Sequence, residues 1–373
     1  MKKLFLFCIM IFVALGQLPA RAQEGFTRAE YECLLMSITS GKSERGPREL
    51  SASYHPVWVP DMKLGYFRAH GLDMVYDMEG VGREAVVVVH GGPGLPHEYF
   101  HPLLSNLGKY MRLVYFDRRA DILSRNSSTD VMSLVEMAEE IDELRKALGL
   151  SRVTLLAHSF GGAIALTYAL RYPDQVKRLI LVSTAATIEN PAETEKRLVK
   201  TLSSDELSAY NSTDAGGSPC DRVRRRYRAL YPHYFHLVPS SELLDFGVYS
   251  VYFDSLAKKL VLASRAGGFD VRGALDRIKA PTLVFGGRHD LVTPLSQARE
   301  LADGLPQSKL VVMEHSGHFP FIEENYLFTE WVRNFIASTA DFLDDQITVA
   351  SPDTQTFLRA CLKSPRWFCR MGT

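Results

Sequence analysis

The chain has 373 residues, of which 46% are hydrophobic, so it can form either one large core or a core with an inserted subdomain. Its 43 lysine and arginine residues balance 43 aspartate and glutamate residues, so there is no net positive charge that would favour binding to nucleic acid or to an anionic surface. Nothing in the composition indicates disorder.

Residues 1–22 have the three-part order of a secretory signal peptide. Two lysines precede an apolar run from Leu4 to Leu15, and Ala20-Arg21-Ala22 supplies small residues at the cleavage-site spacing. An uncleaved membrane anchor is the weaker alternative, because the run is short for a bilayer span. We therefore expect a secreted or periplasmic protein with no stable membrane anchor and a mature net charge of about −3.

Four cysteines would remain after cleavage, an even number in an export context where disulfides persist. They are Cys33, Cys220, Cys361 and Cys369. Cys361 and Cys369 are the favoured pair because only seven residues separate them, but all three complete pairings stay open. Metal binding is the weaker alternative, since no two cysteines form C-x-x-C and no histidine lies at ligand spacing. The sequence thus predicts neither a metal site nor a cofactor.

The predicted elements begin after an N-terminal extension at residues 23–61. Leu64–Arg68 and Leu72–Asp77 are typical of a β-hairpin, and Ala85–Val89 of a buried strand. That strand leads into His90-Gly91-Gly92-Pro93-Gly94, whose glycines let backbone amides approach a ligand closely. A glycine turn without function is the alternative interpretation of this loop.

Strands and helices then alternate, which is typical of a mostly parallel sheet with helices on both faces. The further elements are strands at Arg112–Phe116, Arg178–Ser183, Thr282–Gly286 and Lys309–Glu314, and helices at Met132–Leu148, after Pro294 and around Trp331–Ile336. The predicted fold class is therefore α/β, with a core at residues 62–186 and 271–338.

The segment at residues 187–270 differs in character and is predicted to be a mainly helical cap inserted over the strand ends. Its arginines between Arg222 and Arg228 would suit phosphate or nucleic acid, but a solvated helix face is the commoner explanation. Residues 339–373 form a C-terminal extension beyond the last expected core helix.

Ser159 is the candidate nucleophile. The apolar run from Val153 predicts a buried strand that ends in a sharp turn at Ser159, with a helix beginning near Phe160. Such a turn lifts one side chain out of the sheet to where a substrate can reach it. Ala157 stands where G-x-S-x-G has its first glycine, and alanine is small enough for this position.

A serine hydroxyl needs a base and a group that orients the base. Two later strand ends supply Asp290 and His318, and the order Ser, Asp, His is that of the α/β-hydrolase arrangement. We predict His318 as general base and then general acid, oriented by Asp290. His315 is the weaker candidate for the base. His158 is expected to pack beneath the turn, and the oxyanion donors are predicted to be the amides of Phe160 and Gly92.

Over residues 62–338 the sequence resembles the α/β-hydrolase superfamily. His90-Gly91-Gly92-Pro93-Gly94 looks like the HGGPG loop of the proline iminopeptidases, serine peptidases that release an amino-terminal proline. Asp117-Arg118-Arg119 stands where those peptidases have D-Q-R-G, and Ala120-Asp121-Ile122 replaces the glycines that follow. The cap lacks the tryptophans that accompany the acidic amine-binding residues of these peptidases.

Three functions are compatible with this pattern. The first is a proline-iminopeptidase-like aminopeptidase acting on short peptides through an acyl-enzyme. The second is a carboxylesterase or lactonase with the same triad, indifferent to a free amine. The third is a non-catalytic binding protein on the same fold, which the presence of all three triad candidates disfavours. The expected partner is a small-molecule or short-peptide substrate, and the oligomeric state is left open.

Overall fold

The computed structural model describes residues 63–92, 97–118, 133–188, 191–211, 229–238, 269–338 and 347–349. The signal peptide, the four mature cysteines and the arginine run lie outside these ranges, so the predictions made for them remain predictions. Within the described residues, no helix combines the length and apolar character needed to cross a membrane.

A single sheet of nine strands runs through the described residues, in the order β1-β2-β4-β3-β5-β6-β7-β8-β9. The first two strands pair antiparallel with each other, β2 pairs antiparallel with β4, and every other pair is parallel. The strands are β1 (Lys63–Ala69), β2 (Leu72–Glu79), β3 (Ala85–Val89), β4 (Arg112–Phe116), β5 (Val153–His158), β6 (Val176–Val182), β7 (Thr282–Gly287), β8 (Ser308–Met313) and β9 (Ile347–Val349).

Eight α-helices accompany the strands in the described ranges. They are α1 (His101–Leu104), α2 (Leu134–Ala147), α3 (Phe160–Arg171), α4 (Pro191–Val199), α5 (Ser204–Asn211), α6 (Leu295–Gly304), α7 (Pro320–Glu323) and α8 (Asn325–Ala337). The 3₁₀ turns are His97–Phe100, Ser105–Lys109, Pro173–Gln175, Tyr231–Tyr234 and Arg272–Arg277. All strands and helices predicted within the described core are present, with ends shifted by a few residues.

Helices cover both faces of the sheet. Side chains of successive strand residues point to opposite faces, so each strand contributes to both layers of the core. Val87 and Val89 of β3 pack in one cluster with α2, α3 and α6, whereas Val86 and Val88 pack in another with α1, α7 and α8. Strands buried on both faces explain the nearly continuous apolar runs in the sequence.

Helix α2 illustrates how local sequence sets an element's start. The Ser133 hydroxyl accepts a hydrogen bond from the amide of Glu136, and the Glu136 carboxylate accepts one from the amide of Ser133. This capping box satisfies donors that the first helical turn leaves without partners. The helix therefore begins two residues after the predicted Met132.

The segment between β6 and β7 leaves and rejoins the core at one point. Thr187 forms an isolated antiparallel bridge with Asp270, and the amide of Ile188 donates to the carbonyl oxygen of Phe269. Between Ile188 and Phe269, the described helices and turns are α4, α5 and the Tyr231–Tyr234 turn. These positions suit an inserted cap, whose boundaries at 187–270 remain a prediction.

Candidate active site

Ser159 lies in the turn between β5 and α3. Its φ of 53° and ψ of −123° are strained values for a residue other than glycine. Helix α3 starts this close to the sheet because Gly161 has no side chain, and a Cβ at that position would overlap the carbonyl oxygen of Val89. The Thr184 hydroxyl donates to the carbonyl oxygen of Ser159 at 2.7 Å. Packing on both sides thus holds Ser159 at the end of its strand.

The three residues predicted as a triad lie in one hydrogen-bonded series. Nε2 of His318 is 3.0 Å from Oγ of Ser159, and Nδ1 of His318 is 2.9 Å from Oδ2 of Asp290. The side chains of His318 and Asp290 are 3% and 0% exposed, so water does not compete for their contact. A serine, an imidazole and a carboxylate in this sequence of contacts are able to transfer a proton from the serine hydroxyl.

The Asp290 carboxylate is oriented by the loop that follows β7. Its Oδ1 accepts hydrogen bonds from the amides of Val292 and Thr293, at 2.8 and 2.9 Å, and its Oδ2 accepts one from the Thr293 hydroxyl at 2.8 Å. These donors leave Oδ2 facing His318. Thr293 is a contributor that the sequence pattern did not reveal.

His315, the weaker candidate for the base, is held by different contacts. Its amide donates to the carboxylate of Glu324 at 3.0 Å. The imidazole at hydrogen-bond distance from Ser159 belongs to His318, whose own amide donates to the carbonyl oxygen of Tyr234 at 2.7 Å.

The predicted oxyanion donors lie at two chain positions suited to that role. Phe160 is the first residue of α3, where an amide has no acceptor within the helix. Gly92 has a φ of 41°, in the left-handed region that favours glycine. The amide of Gly91 donates to the Tyr99 hydroxyl at 2.7 Å, so it is already engaged. Residues 93–96, the rest of the glycine loop, lie outside the described ranges.

Arg118 holds the glycine loop from below the surface. Its guanidinium, 1% exposed, donates to the carbonyl oxygens of His90, Gly91 and Gly92 at 3.1–3.3 Å and lies 2.9 Å from Nδ1 of His90. A rigid planar cation bound to three successive carbonyls fixes the path of the backbone. Arg118 stands at the glutamine position of the D-Q-R-G segment, so the likeness to that segment did not predict this contact.

Tyr99 and His158 join the glycine loop to the histidine loop. The Tyr99 hydroxyl accepts from Gly91 and lies 2.8 Å from Nδ1 of His158, whose Nε2 lies 2.9 Å from the carbonyl oxygen of His318. Burial lowers the pKa of His158 well below its usual value, and the neighbouring imidazole of His318 lowers it further. A neutral His158 donates from Nε2 and accepts the Tyr99 proton at Nδ1. His158 packs beneath the turn as expected, and it also connects both loops.

A second buried polar group lies between β2 and the turn at residues 97–101. Oδ2 of Asp77 is 3.3 Å from Nε2 of both His97 and His101, and Nδ1 of His97 is 2.9 Å from Oδ1 of Asp117. Burial lowers the pKa of both imidazoles, but the carboxylates outweigh it, so the pKa of His97 is well above its usual range and that of His101 is about 9.

This group was missed from the sequence. The prediction that no histidine lies at ligand spacing was wrong, because His97 and His101 are four residues apart and the letters from His97 to His101 match H-E-x-x-H. That motif was a usable signal. Asp77 carried none, because the fold brings it to the histidines from 20 residues upstream.

A cavity of about 650 Å³ adjoins the triad at Asp290. It lies between the residues after β7 and the described part of the predicted cap, and Glu206, His233 and His289 are among its lining residues. The Glu206 carboxylate lies 3.2 Å from Nε2 of His233. A carboxylate and several imidazoles therefore face a space large enough for a small substrate.

Comparison with known proteins gives one family and several relatives. The α/β-hydrolase fold family matches residues 84–211 and 226–325. The chain is 29% identical over 288 residues to a proline iminopeptidase of Clostridioides difficile, covering 72% of this chain and 97% of the relative. It is 28% identical over 295 residues to a proline iminopeptidase of Saccharolobus solfataricus, covering 74% and 93%.

Solved structures agree in fold. An esterase from Exiguobacterium antarcticum matches with a TM-score of 0.58 and 24% identity, covering 73% of this chain and 99% of the esterase. An enol-lactonase from Burkholderia xenovorans matches with a TM-score of 0.56 and 21% identity, covering 74% and 100%. At these identities the likeness concerns the fold alone.

The chain belongs to the α/β-hydrolase fold family, since the matched segments make up more than half of it and its sheet has the expected mostly parallel order. It is a serine hydrolase, and its sequence resembles the proline iminopeptidases. The predicted fold class and family resemblance are confirmed.

Proposed function

We propose that this serine hydrolase is an exported aminopeptidase of the proline-iminopeptidase type, releasing a small amino-terminal residue from short peptides. The observation that carries the proposal is the hydrogen-bonded series from Ser159 through His318 to Asp290. The glycine loop and the relatives named proline iminopeptidase support an amide substrate with a free amino terminus.

In the acylation step, His318 Nε2 accepts the proton of the Ser159 hydroxyl while Oγ attacks the scissile carbonyl carbon. Asp290 stabilises the imidazolium and keeps Nδ1 protonated and facing it. The amides of Phe160 and Gly92 stabilise the negative oxygen of the tetrahedral intermediate. His318 then donates its proton to the leaving amine, the carbon–nitrogen bond breaks, and an acyl-enzyme remains on Ser159.

In the deacylation step, water replaces the departed peptide. His318 accepts a proton from this water, which attacks the acyl carbonyl carbon, and the same amides stabilise the second tetrahedral intermediate. Protonation of Oγ by His318 releases the amino acid and restores Ser159.

Recognition of a free amine requires a negative group near the site. Among the described residues, we propose that the carboxylate of Glu206 makes this contact, because Glu206 lines the cavity next to Asp290. The absence of tryptophan from residues 187–270 is the observation that favours the second candidate, a carboxylesterase or lactonase.

The decisive experiment compares three substrates of the purified mature protein. They are a chromogenic anilide of proline, the same anilide with its amine acylated, and a short-chain acyl ester. We expect turnover of the free-amine anilide, at least about 100-fold weaker turnover of the blocked anilide, and loss of turnover with Ser159→Ala. Glu206→Gln should raise KM for the free-amine anilide with less effect on the ester.

The controls separate the candidate functions. Ester turnover without anilide turnover would replace the aminopeptidase by the esterase or lactonase. Equal turnover of free and blocked anilides would contradict amine recognition. Turnover that survives Ser159→Ala would remove Ser159 from the mechanism.

Export is proposed from residues 1–22. Mass spectrometry of the chain recovered from a periplasmic extract or the culture medium should find an amino terminus at Gln23. A chain that keeps residues 1–22 and sediments with membranes would support the uncleaved anchor instead.

A further inference from the structure

The buried group formed by Asp77, His97 and His101 is separate from the triad and unused by the proposed reaction. Its potential ligand atoms all lie within 4.8 Å of one another. The three side chains are only 6–8% exposed. Polar groups buried this deeply are costly unless they are paired with each other or bind an ion.

The distances match the spacing of ligands around one small metal ion. A tetrahedral ion with bonds of about 2.0–2.1 Å to nitrogen and oxygen separates neighbouring ligand atoms by about 3.3 Å. Oδ2 of Asp77 is 3.3 Å from Nε2 of each histidine. Oδ1 of Asp77 lies 3.2 Å from Nε2 of His97, yet it makes no hydrogen bond in the described structure.

His97 has the outer contact that metal-binding histidines usually have. Such a histidine binds the ion through one ring nitrogen and hydrogen-bonds a carboxylate or carbonyl through the other. Nδ1 of His97 is within hydrogen-bond distance of Asp117 at 2.9 Å, whereas Nδ1 of His101 lies 3.8 Å from Glu79, beyond hydrogen-bond distance. Glu79 is itself held by hydrogen bonds from the hydroxyls of Ser105 and Tyr115.

We propose that Asp77, His97 and His101 bind one divalent transition-metal cation, for which Zn²⁺ is the best fit. Imidazole with carboxylate is a ligand set suited to Zn²⁺ and its neighbours in the first transition row, whereas Mg²⁺ and Ca²⁺ prefer oxygen ligands alone. Although the histidines belong to an H-E-x-x-H motif, the three side chains are too deeply buried for a substrate to reach the ion, and Oδ1 of Asp77 or a water molecule would complete its four ligands. The ion is therefore structural.

The ion would act on the active site through the turn that carries the two histidines. Tyr99 lies between them in sequence, and its hydroxyl holds the amide of Gly91 and the ring of His158. Binding His97 and His101 to the β2 residue Asp77 fixes this turn against the sheet. Loss of the ion should therefore loosen the glycine loop.

The test uses the full chain, purified without a polyhistidine tag from zinc-supplemented medium. We expect about one zinc ion per chain by elemental analysis, and a fall in the unfolding temperature of at least about 5 °C on removal by chelator. Zn²⁺, but not Mg²⁺, should restore the unfolding temperature. Co²⁺ in place of Zn²⁺ should produce the visible absorption bands of a four-coordinate site.

A matched pair of variants locates the ion. His101→Asn should bind Zn²⁺ at least about tenfold more weakly, whereas His70→Asn should bind it like the wild type because His70 lies exposed in the β1–β2 turn. The ion titration of the stripped wild-type chain tests the proposal even if His101→Asn does not fold.

Two results would overturn the proposal. One is a wild-type chain with less than about 0.1 equivalents of metal and an unfolding temperature insensitive to Zn²⁺, which would identify the group as a metal-free ion-pair network. The other is unchanged zinc binding by folded His101→Asn, which would place any zinc elsewhere.

Discussion

Asp290 is the residue on which the orientation of His318 depends. Its carboxylate offers Oδ2 to Nδ1 of His318 while two backbone amides and a hydroxyl hold it in place. An asparagine of the same shape would present either a nitrogen or a neutral oxygen to the ring. Charge and tautomer, rather than packing, are therefore what this position contributes.

Asp290→Asn should lower kcat by about 10³- to 10⁴-fold while the unfolding temperature changes little, because the imidazolium loses its counter-charge. The measurement is steady-state kinetics on whichever substrate the wild type turns over. Asp303→Asn, at an exposed position of α6, is the matched control. A loss below tenfold for Asp290→Asn would contradict the assigned role.

Tyr99→Phe tests the connection between the two loops. Removing the hydroxyl leaves the amide of Gly91 and Nδ1 of His158 without their buried partner, which should cost about 1–3 kcal/mol of stability and lower kcat by about tenfold or more. Thermal unfolding and kcat are measured together. Tyr66→Phe, at a side chain 72% exposed, should change neither.

At the scale of elements, the strand–turn–helix around Ser159 depends on close backbone approach. Gly161 lies inside α3, where alanine would be the better helix former by about 1 kcal/mol. The neighbouring carbonyl oxygen of Val89, however, occupies the space that a Cβ needs. The backbone of a central strand cannot move far to make room for a Cβ. The steric cost of alanine at this position therefore outweighs its higher helix propensity.

Gly161→Ala should therefore destabilise the protein by about 1–3 kcal/mol and reduce activity by moving Ser159. Gly273→Ala is the matched control, since a Cβ there would meet nothing within 4 Å and should leave stability unchanged or slightly raised. Urea unfolding of both variants gives the comparison. Equal stabilities would show that α3 shifts away from β3 without cost.

Local periodicity predicted the strands and helices. The site residues that lie at the ends of strands could be predicted in the same way. Ser159 directly follows β5, and Asp290 and His318 lie in the short loops that follow β7 and β8. The roles of Tyr99 and Arg118 escaped prediction, because their partners in the glycine loop and at His158 meet them only in the folded chain. The strand β9 also escaped, since Ile347–Val349 lies in the C-terminal extension and only its pairing with β8 makes it a strand.

At the scale of the whole molecule, Glu323 joins the loop that carries His318 to the segment between β6 and β7. Its carboxylate accepts hydrogen bonds from the amides of Gly317, His236 and Leu237 at 2.7–2.9 Å. Burial outweighs these three donors and raises the pKa of Glu323 to about 8. A shared buried acid thus couples the segment above the site to the loop that carries His318.

This pKa predicts a pH dependence of stability. The folded chain holds the Glu323 proton more tightly than the unfolded chain, whose ordinary pKa is 4.5, so stability falls as pH rises from about 4.5 to about 8. The free energy of unfolding of the wild type, relative to Glu323→Gln, should decrease by a few kcal/mol over this range. Urea unfolding at pH 5, 6.5 and 8 measures it, and parallel curves would contradict the raised pKa.

The sequence by itself determined the α/β class, the order of strands and helices, the turn at Ser159 and the two loops that carry Asp290 and His318. These features depend on hydrophobic periodicity and on short-range spacing, which any stretch of chain carries within itself.

Only the tertiary structure decided that Tyr99 and His158 link two loops and that Asp77 meets His97 and His101. Each of these contacts joins residues from separate strands or turns. The distances between these side chains depend on the order and register of the strands in the sheet, which no short stretch of sequence encodes.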